Sequence, residues 1–264
     1  MNILHILNGD STAQSFDDTG LDGDVMVWRE VFSEGPLNEN VTSGDFWRKR
    51  MDWICGNSEE SPENYQQNVL NELVRLDEPY NELNLWFEFD LHCQANMLGV
   101  LAYINQKTDL STPAIFLICP SSFPGKEHFR GMGELDGEEL DYLYDNIRLQ
   151  LSAMDFVVAR EAWEVYVSKD AALLENYIST NSFWGSLHCL KPALEAQLKR
   201  LQVNEHGLNY VEQKLVDIYN LGYHLKADVM RIFWDTEKIY GMGDLELGIY
   251  LKSLQEKGLT LLGD

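Results

Sequence analysis

Cysteine is scarce and scattered in this chain. Its four cysteines, Cys55, Cys93, Cys119 and Cys189, form no C-x-x-C pair. The spacing therefore offers neither a disulfide framework nor a zinc motif, and reduced, mostly buried thiols are expected. Long apolar runs are missing as well. No stretch approaches the roughly 20 residues that span a bilayer, and the opening MNILHILNGDS reads without the cationic leader of an export signal. A cytoplasmic location is the expectation. Basic residues are few, 20 against 43 acidic, for a net charge of −23. Such a field repels phosphate backbones and anionic lipid at long range. It argues against nucleic acid and membranes as partners, and leaves room for a small anionic ligand or a protein. The loops G-x-x-x-x-G-K-[ST] and G-x-G-x-x-G and the pairs H-x-x-x-H and H-E-x-x-H are also absent. No structural zinc is expected on that basis, and no cofactor is assigned.

What is present suits a packed core: 45% of the 264 residues are hydrophobic, enough for one large domain or two ordinary ones. Asn2 to Leu7, Asp24 to Arg29, Leu83 to Phe89 and Pro113 to Cys119 read as strands. The last is apolar on both faces, as a central parallel strand should be. Helical segments separate them: Thr12 to Asp18, Gly44 to Cys55, Pro62 to Leu76 and an amphipathic Leu91 to Gln106. That alternation predicts a doubly wound parallel sheet. Helical periodicity then runs from Asp136 to Leu201. Tyr210 to Leu221, Lys226 to Thr236 and Asp244 to Lys257 form three further helices before a terminal strand from Gly258 to Leu262. The fold class read from this pattern is α/β. It has a Rossmann-like parallel-sheet domain over residues 1–135, a helical extension over 136–205 and a small winged-helix-like module over 206–264.

Open parallel sheets bind ligands beyond the carboxyl ends of their strands. Polar residues gather after each predicted strand: Asn8 to Ser11, Arg29 to Glu34, Glu88 to Gln94, then Ser121 and Ser122. Asp10, Ser11, Glu30 and Asp90 are the candidate catalytic groups. Asn8, Arg29, Glu34, Glu88 and Gln94 are the candidate ligand contacts. Each also has a plain structural reading. Asp10, Ser11 and Asp90 suit helix caps, Arg29 suits an ion pair with Glu30 or Glu34, and Trp28 and Trp86 suit the core. The loop Phe123-Pro-Gly-Lys-Glu-His-Phe-Arg-Gly-Met-Gly reads either as a lid that brings Lys126 and Arg130 to an anion or as a surface loop. Tyr240-Gly-Met-Gly-Asp reads as a turn capping the last helix.

Three blocks, His5-Ile-Leu-Asn-Gly-Asp-Ser, Val27-Trp-Arg-Glu-Val-Phe-Ser-Glu-Gly-Pro and Leu85-Trp-Phe-Glu-Phe-Asp-Leu-His-Cys-Gln, resemble the bacterial family called domain of unknown function 1835. The tail, Gly207-Leu-Asn-Tyr-Val-Glu through Tyr240-Gly-Met-Gly-Asp, is similar to its usual companion, domain of unknown function 3658. The resemblance covers nearly the whole chain and implies a bacterial origin and two linked parts, with no activity attached. That family often carries His where this chain has Phe89, and Asp where it has Cys93.

Three functional readings follow. A small phosphorylated or nucleotide-like ligand would sit at Ser11, with Arg29 contacting it and Asp10, Glu30 and Glu34 holding a cation or moving protons. Alternatively, Gly-Asp-Ser after a first strand resembles the opening block of GDS-type esterases. The late Asp-x-x-His pair of those enzymes is absent here. The third reading is a ligand-sensing regulator or protein-interaction protein acting through the carboxy-terminal module. Residues 201–264 hold six basic and ten acidic residues, a net of −4, which opposes DNA binding.

Overall fold

Four apolar runs become parallel strands of one sheet. The computed structural model describes residues 2–107, 113–260 and 263. Along the chain, β1 (Ile3–Leu7) leads to α1 (Asp10–Phe16), β2 (Asp24–Val27) and α2 (Gly44–Asn57). The Ser43 side chain caps α2 by accepting from Phe46 N at 3.2 Å. Next, α3 (Pro62–Tyr65) runs through a π turn into α4 (Asn71–Leu73) and a 3-10 turn, so the helix expected from Pro62 to Leu76 is broken twice. Then come β3 (Glu82–Trp86), α5 (Leu91–Gln106), β4 (Ala114–Ile118) and α6 (Gly137–Ile147). A two-residue β5 (Leu149–Gln150) interrupts the stretch expected to be wholly helical, before α7 (Ala153–Ser168), α8 (Ala171–Thr180) and α9 (Leu190–Leu201). The last helices are α10 (Tyr210–Asn220), α11 (Lys226–Thr236) and α12 (Asp244–Glu256).

The molecule is α/β, with a mixed sheet in the order β2-β1-β3-β4-β5. β1 pairs in parallel with both β2 and β3, β3 with β4, and only the edge strand β5 is antiparallel. From β1 the chain goes first to one side of the sheet and then returns to the other. Strand order therefore reverses between β1 and β3.

Side-chain alternation sorts the strands onto two faces. Leu4, Ile6, Leu83, Leu85, Ile115 and Leu117 enter the larger core, while Leu7, Trp86 and Ile118 join Phe16 of α1 and Leu140 and Leu143 of α6. α5 was expected to be amphipathic but is buried almost all round, from Leu91 to Tyr103. It packs on α7 and α9 away from the sheet, so its outer face is core as well. The larger core continues without a break to Leu247, Leu251 and Leu254 of α12. Among the described residues, no helix is long and apolar enough to cross a membrane. The expected terminal strand does not form over Gly258 to Thr260, while Leu261 and Leu262 lie outside the described residues; Gly263 makes a single parallel bridge with Leu225.

Candidate functional site

A cleft of about 480 Å³ opens where the strand order reverses, the place where such sheets take ligands. Its floor comes from the segments just past two neighbouring strands: Asn8, Gly9, Ser11 and Thr12 after β1, and Glu88, Asp90, His92 and Cys93 after β3. Arg130 to Glu134 form one side. Phe233, Trp234, Lys238, Gly241 and Met242, from α11 and the turn before α12, form the other.

The floor is acidic. Asp90 is buried and caps α5, its Oδ1 accepting from Cys93 N at 2.9 Å. Glu88 Oε1 accepts from Met132 N, and Glu88 Oε2 accepts from the Cys93 thiol at 3.3 Å. Burial raises the Glu88 pKa to about 7, with the neighbouring Asp90 charge adding to it. Burial raises Asp90 too, against the pull of His92 and the Cys93 N–H. The Cys93 thiol is pushed well up by burial and both carboxylates. Ligand atoms of Glu88, Asp90 and Cys93 lie within 4.8 Å of one another.

The nearest cation is His92. Burial alone would lower its pKa, but Glu246 Oε1 at 3.1 Å from Nδ1, with Asp90 and Glu88 nearby, outweighs that and raises it to about 9. Asn8 Nδ2 donates to Cys93 Sγ at 2.9 Å, and Asn8 Oδ1 accepts from Asn96 Nδ2 at 2.9 Å. Asn96 Nδ2 also donates to the Glu30 carbonyl at 2.7 Å. Both its hydrogens are then engaged, so its 3.3 Å approach to His92 Nε2 is a contact, not a hydrogen bond.

Two glycines let backbone close over the acids. Gly241 has φ +60, and a Cβ there would overlap the Asp90 carboxylate. A Cβ on Gly131 would stand 2.6 Å from Glu88 Oε1. Only glycine meets both demands at residue 241.

The structure brings Asn8, Ser11, Glu88 and Asp90 together in the cleft and sends the other candidates elsewhere. Gln94 is buried behind the floor, its Nε2 donating to the Glu88 carbonyl at 2.6 Å. Asp10 and Arg29 pair beside the cleft, with Arg29 Nη2 2.7 Å from Asp10 Oδ1. Glu30 is buried against Arg50 of α2 at 2.7 Å and accepts from Tyr65 OH. Glu34 pairs with Arg200 of α9, and burial raises its pKa against that cation. Those three ion pairs explain why the cluster after β2 does not line the cleft. Trp28 and Trp86 are core residues. Arg130 reaches the rim paired with Glu134 at 2.7 Å, whereas Lys126 pairs with Glu139 at 3.0 Å. Lys238, Trp234 and His92 were not among the candidate site residues. The Gly241-Met-Gly turn was the available signal, since a glycine pair beside a helix start marks close backbone approach.

Among known proteins, no family model and no curated sequence matches the chain. The resemblance to the two domains of unknown function therefore rests on the quoted blocks.

Proposed function

We propose that the chain binds a small anionic molecule in this cleft and moves a proton to or from it. One observation carries the reading: a half-buried Glu88 beside a buried Asp90, with Glu88 titrating near 7, lies on the floor of a cleft at the strand-order reversal. A carboxyl group that exchanges its proton near neutral pH is suited to general acid–base chemistry. Lys238, without an ion-pair partner among the described residues, and Arg130 supply positive charge at the rim. Trp234 offers a flat apolar wall for a ring such as a nucleobase. Ser11 is exposed in the cleft with no hydrogen bond to a histidine among the described residues, which weighs against the hydrolase reading.

The strand order supports a Rossmann-like description of the sheet unit. The last three helices fit a helix-turn-helix more than a winged helix. Their part in the cleft wall favours a role in ligand binding over DNA reading.

A thermal-shift screen with nucleotides, sugar phosphates and small carboxylates tests the proposal. A ligand that stabilises the chain should bind about tenfold or more weakly to Lys238→Ala. Glu88→Gln should keep binding and lose turnover. If no compound in the screen stabilises the chain at millimolar concentration, the reading is wrong.

A further inference from the structure

A second cluster lies behind the cleft. Cys119 follows β4, and His188 and Cys189 immediately precede α9. Chain segments some 70 residues apart thus meet, a distance at which no spacing motif is legible in the sequence. One ligand atom from each of the three lies within 4.8 Å of the other two. Both cysteines are buried and His188 is exposed. We propose that Cys119, Cys189 and His188 form a binding site for a zinc-class divalent cation, distinct from the cleft.

A tetrahedral zinc ion with bonds of about 2.3 Å to sulfur and about 2.0 Å to nitrogen keeps its ligand atoms roughly 3.5–3.8 Å apart. The three atoms lie within 4.8 Å of one another, at most about an ångström beyond that separation. The surrounding groups match what such a site needs. His188 Nδ1 lies 3.2 Å from the Ser186 carbonyl, which can only accept. Nδ1 therefore carries the proton, and Nε2 keeps the lone pair that a metal takes. Gln94 Nε2 is 3.5 Å from Cys119 Sγ, placed to hold a sulfur ligand. The Asp90 carboxylate acts on both sulfurs and adds negative charge, which favours a cation between them. Two thiolates and an imidazole select zinc or cobalt(II) over magnesium or calcium. Three protein ligands leave the fourth position open.

Cobalt(II) titrated into the reduced, metal-free full chain tests this. One equivalent should produce a near-ultraviolet sulfur-to-cobalt band and the visible bands of a tetrahedral ion, and zinc should abolish both. Cys119→Ser and Cys189→Ser should each lose the sulfur band. His188→Ala, at an exposed position that leaves folding intact, should weaken cobalt binding by at least about tenfold. Cys93→Ser should keep the spectrum. The proposal is overturned if the native chain with four titratable thiols gives no sulfur band. It is overturned equally if the band survives in Cys189→Ser and vanishes in Cys93→Ser, which would place the ion in the cleft. A chain that refuses cobalt and loses two titratable thiols in air holds a disulfide there, and that result also overturns it.

Discussion

Glu88 keeps its proton to about pH 7 because partial burial strips part of its hydration and Asp90 sits beside it. A carboxyl whose folded pKa lies above its unfolded value of 4.5 stabilises the fold fully below pH 4.5. That contribution disappears as pH rises through about 7. Glu88→Gln should therefore leave stability nearly unchanged in acid and raise it by on the order of 1–3 kcal/mol above pH ~8, read by urea denaturation at several pH values. Gly241→Ala should cost about 2–4 kcal/mol, since it combines a left-handed backbone with overlap on Asp90. Gly125→Ala, at φ +80 with open space around it, should cost only about 1–2 kcal/mol. Position after a strand was enough to find Asn8, Ser11, Glu88 and Asp90. Arg29, Glu30 and Glu34 also follow a strand, but their charges are held by Asp10, Arg50 and Arg200. Nothing in the helical run Trp47-Arg-Lys-Arg-Met distinguishes Arg50, the guanidinium that is fully buried, from its exposed neighbours.

Among the elements, α2 is fixed to the loop after β2 by that guanidinium. Arg50 donates to Glu30 Oε2 at 3.1 and 2.7 Å, to the Val31 carbonyl at 2.9 Å and to the Glu34 carbonyl at 2.6 Å. Removing one partner of a buried pair leaves the other charge unpaired in the core. Arg50→Ala should cost about 3–5 kcal/mol in urea denaturation, and Arg29→Ala, whose pair is solvent-exposed, no more than about 1 kcal/mol. The parallel strands were legible because apolar runs bounded by turns leave few alternatives. β5 was not, because two exposed residues carry no period. The full burial of α5 was hidden for another reason: its outer face meets α7 and α9, a tertiary fact that a helical pattern does not encode.

For the molecule as a whole, His92 and Glu246 join the sheet unit to the last helix. The folded His92 pKa of about 9 exceeds its usual 6.5, so this stabilisation is complete below pH 6.5 and is lost as pH rises through about 9. Glu246 is shifted the other way: burial opposes the shift, but His92 and Ser33 outweigh it, and its contribution is lost as pH falls below 4.5. Glu88 adds its own loss between pH 4.5 and about 7. Thermal stability should thus peak in mildly acidic solution. Amide exchange in α10, α11 and α12 should quicken between pH 6.5 and 9 beyond the intrinsic rise. A net charge of −23 also means self-repulsion, so added salt should raise the melting temperature at pH 8 more than at pH 5.

The backbone of Gly241 lying on Asp90 makes the acidity of the floor and the position of the terminal helices a single variable. If those helices swing outward, more water reaches the floor and the Glu88 proton leaves. If they settle back, that proton returns. A molecule that favours the closed arrangement must then bind together with a proton, and its binding heat will change with the ionisation enthalpy of the buffer.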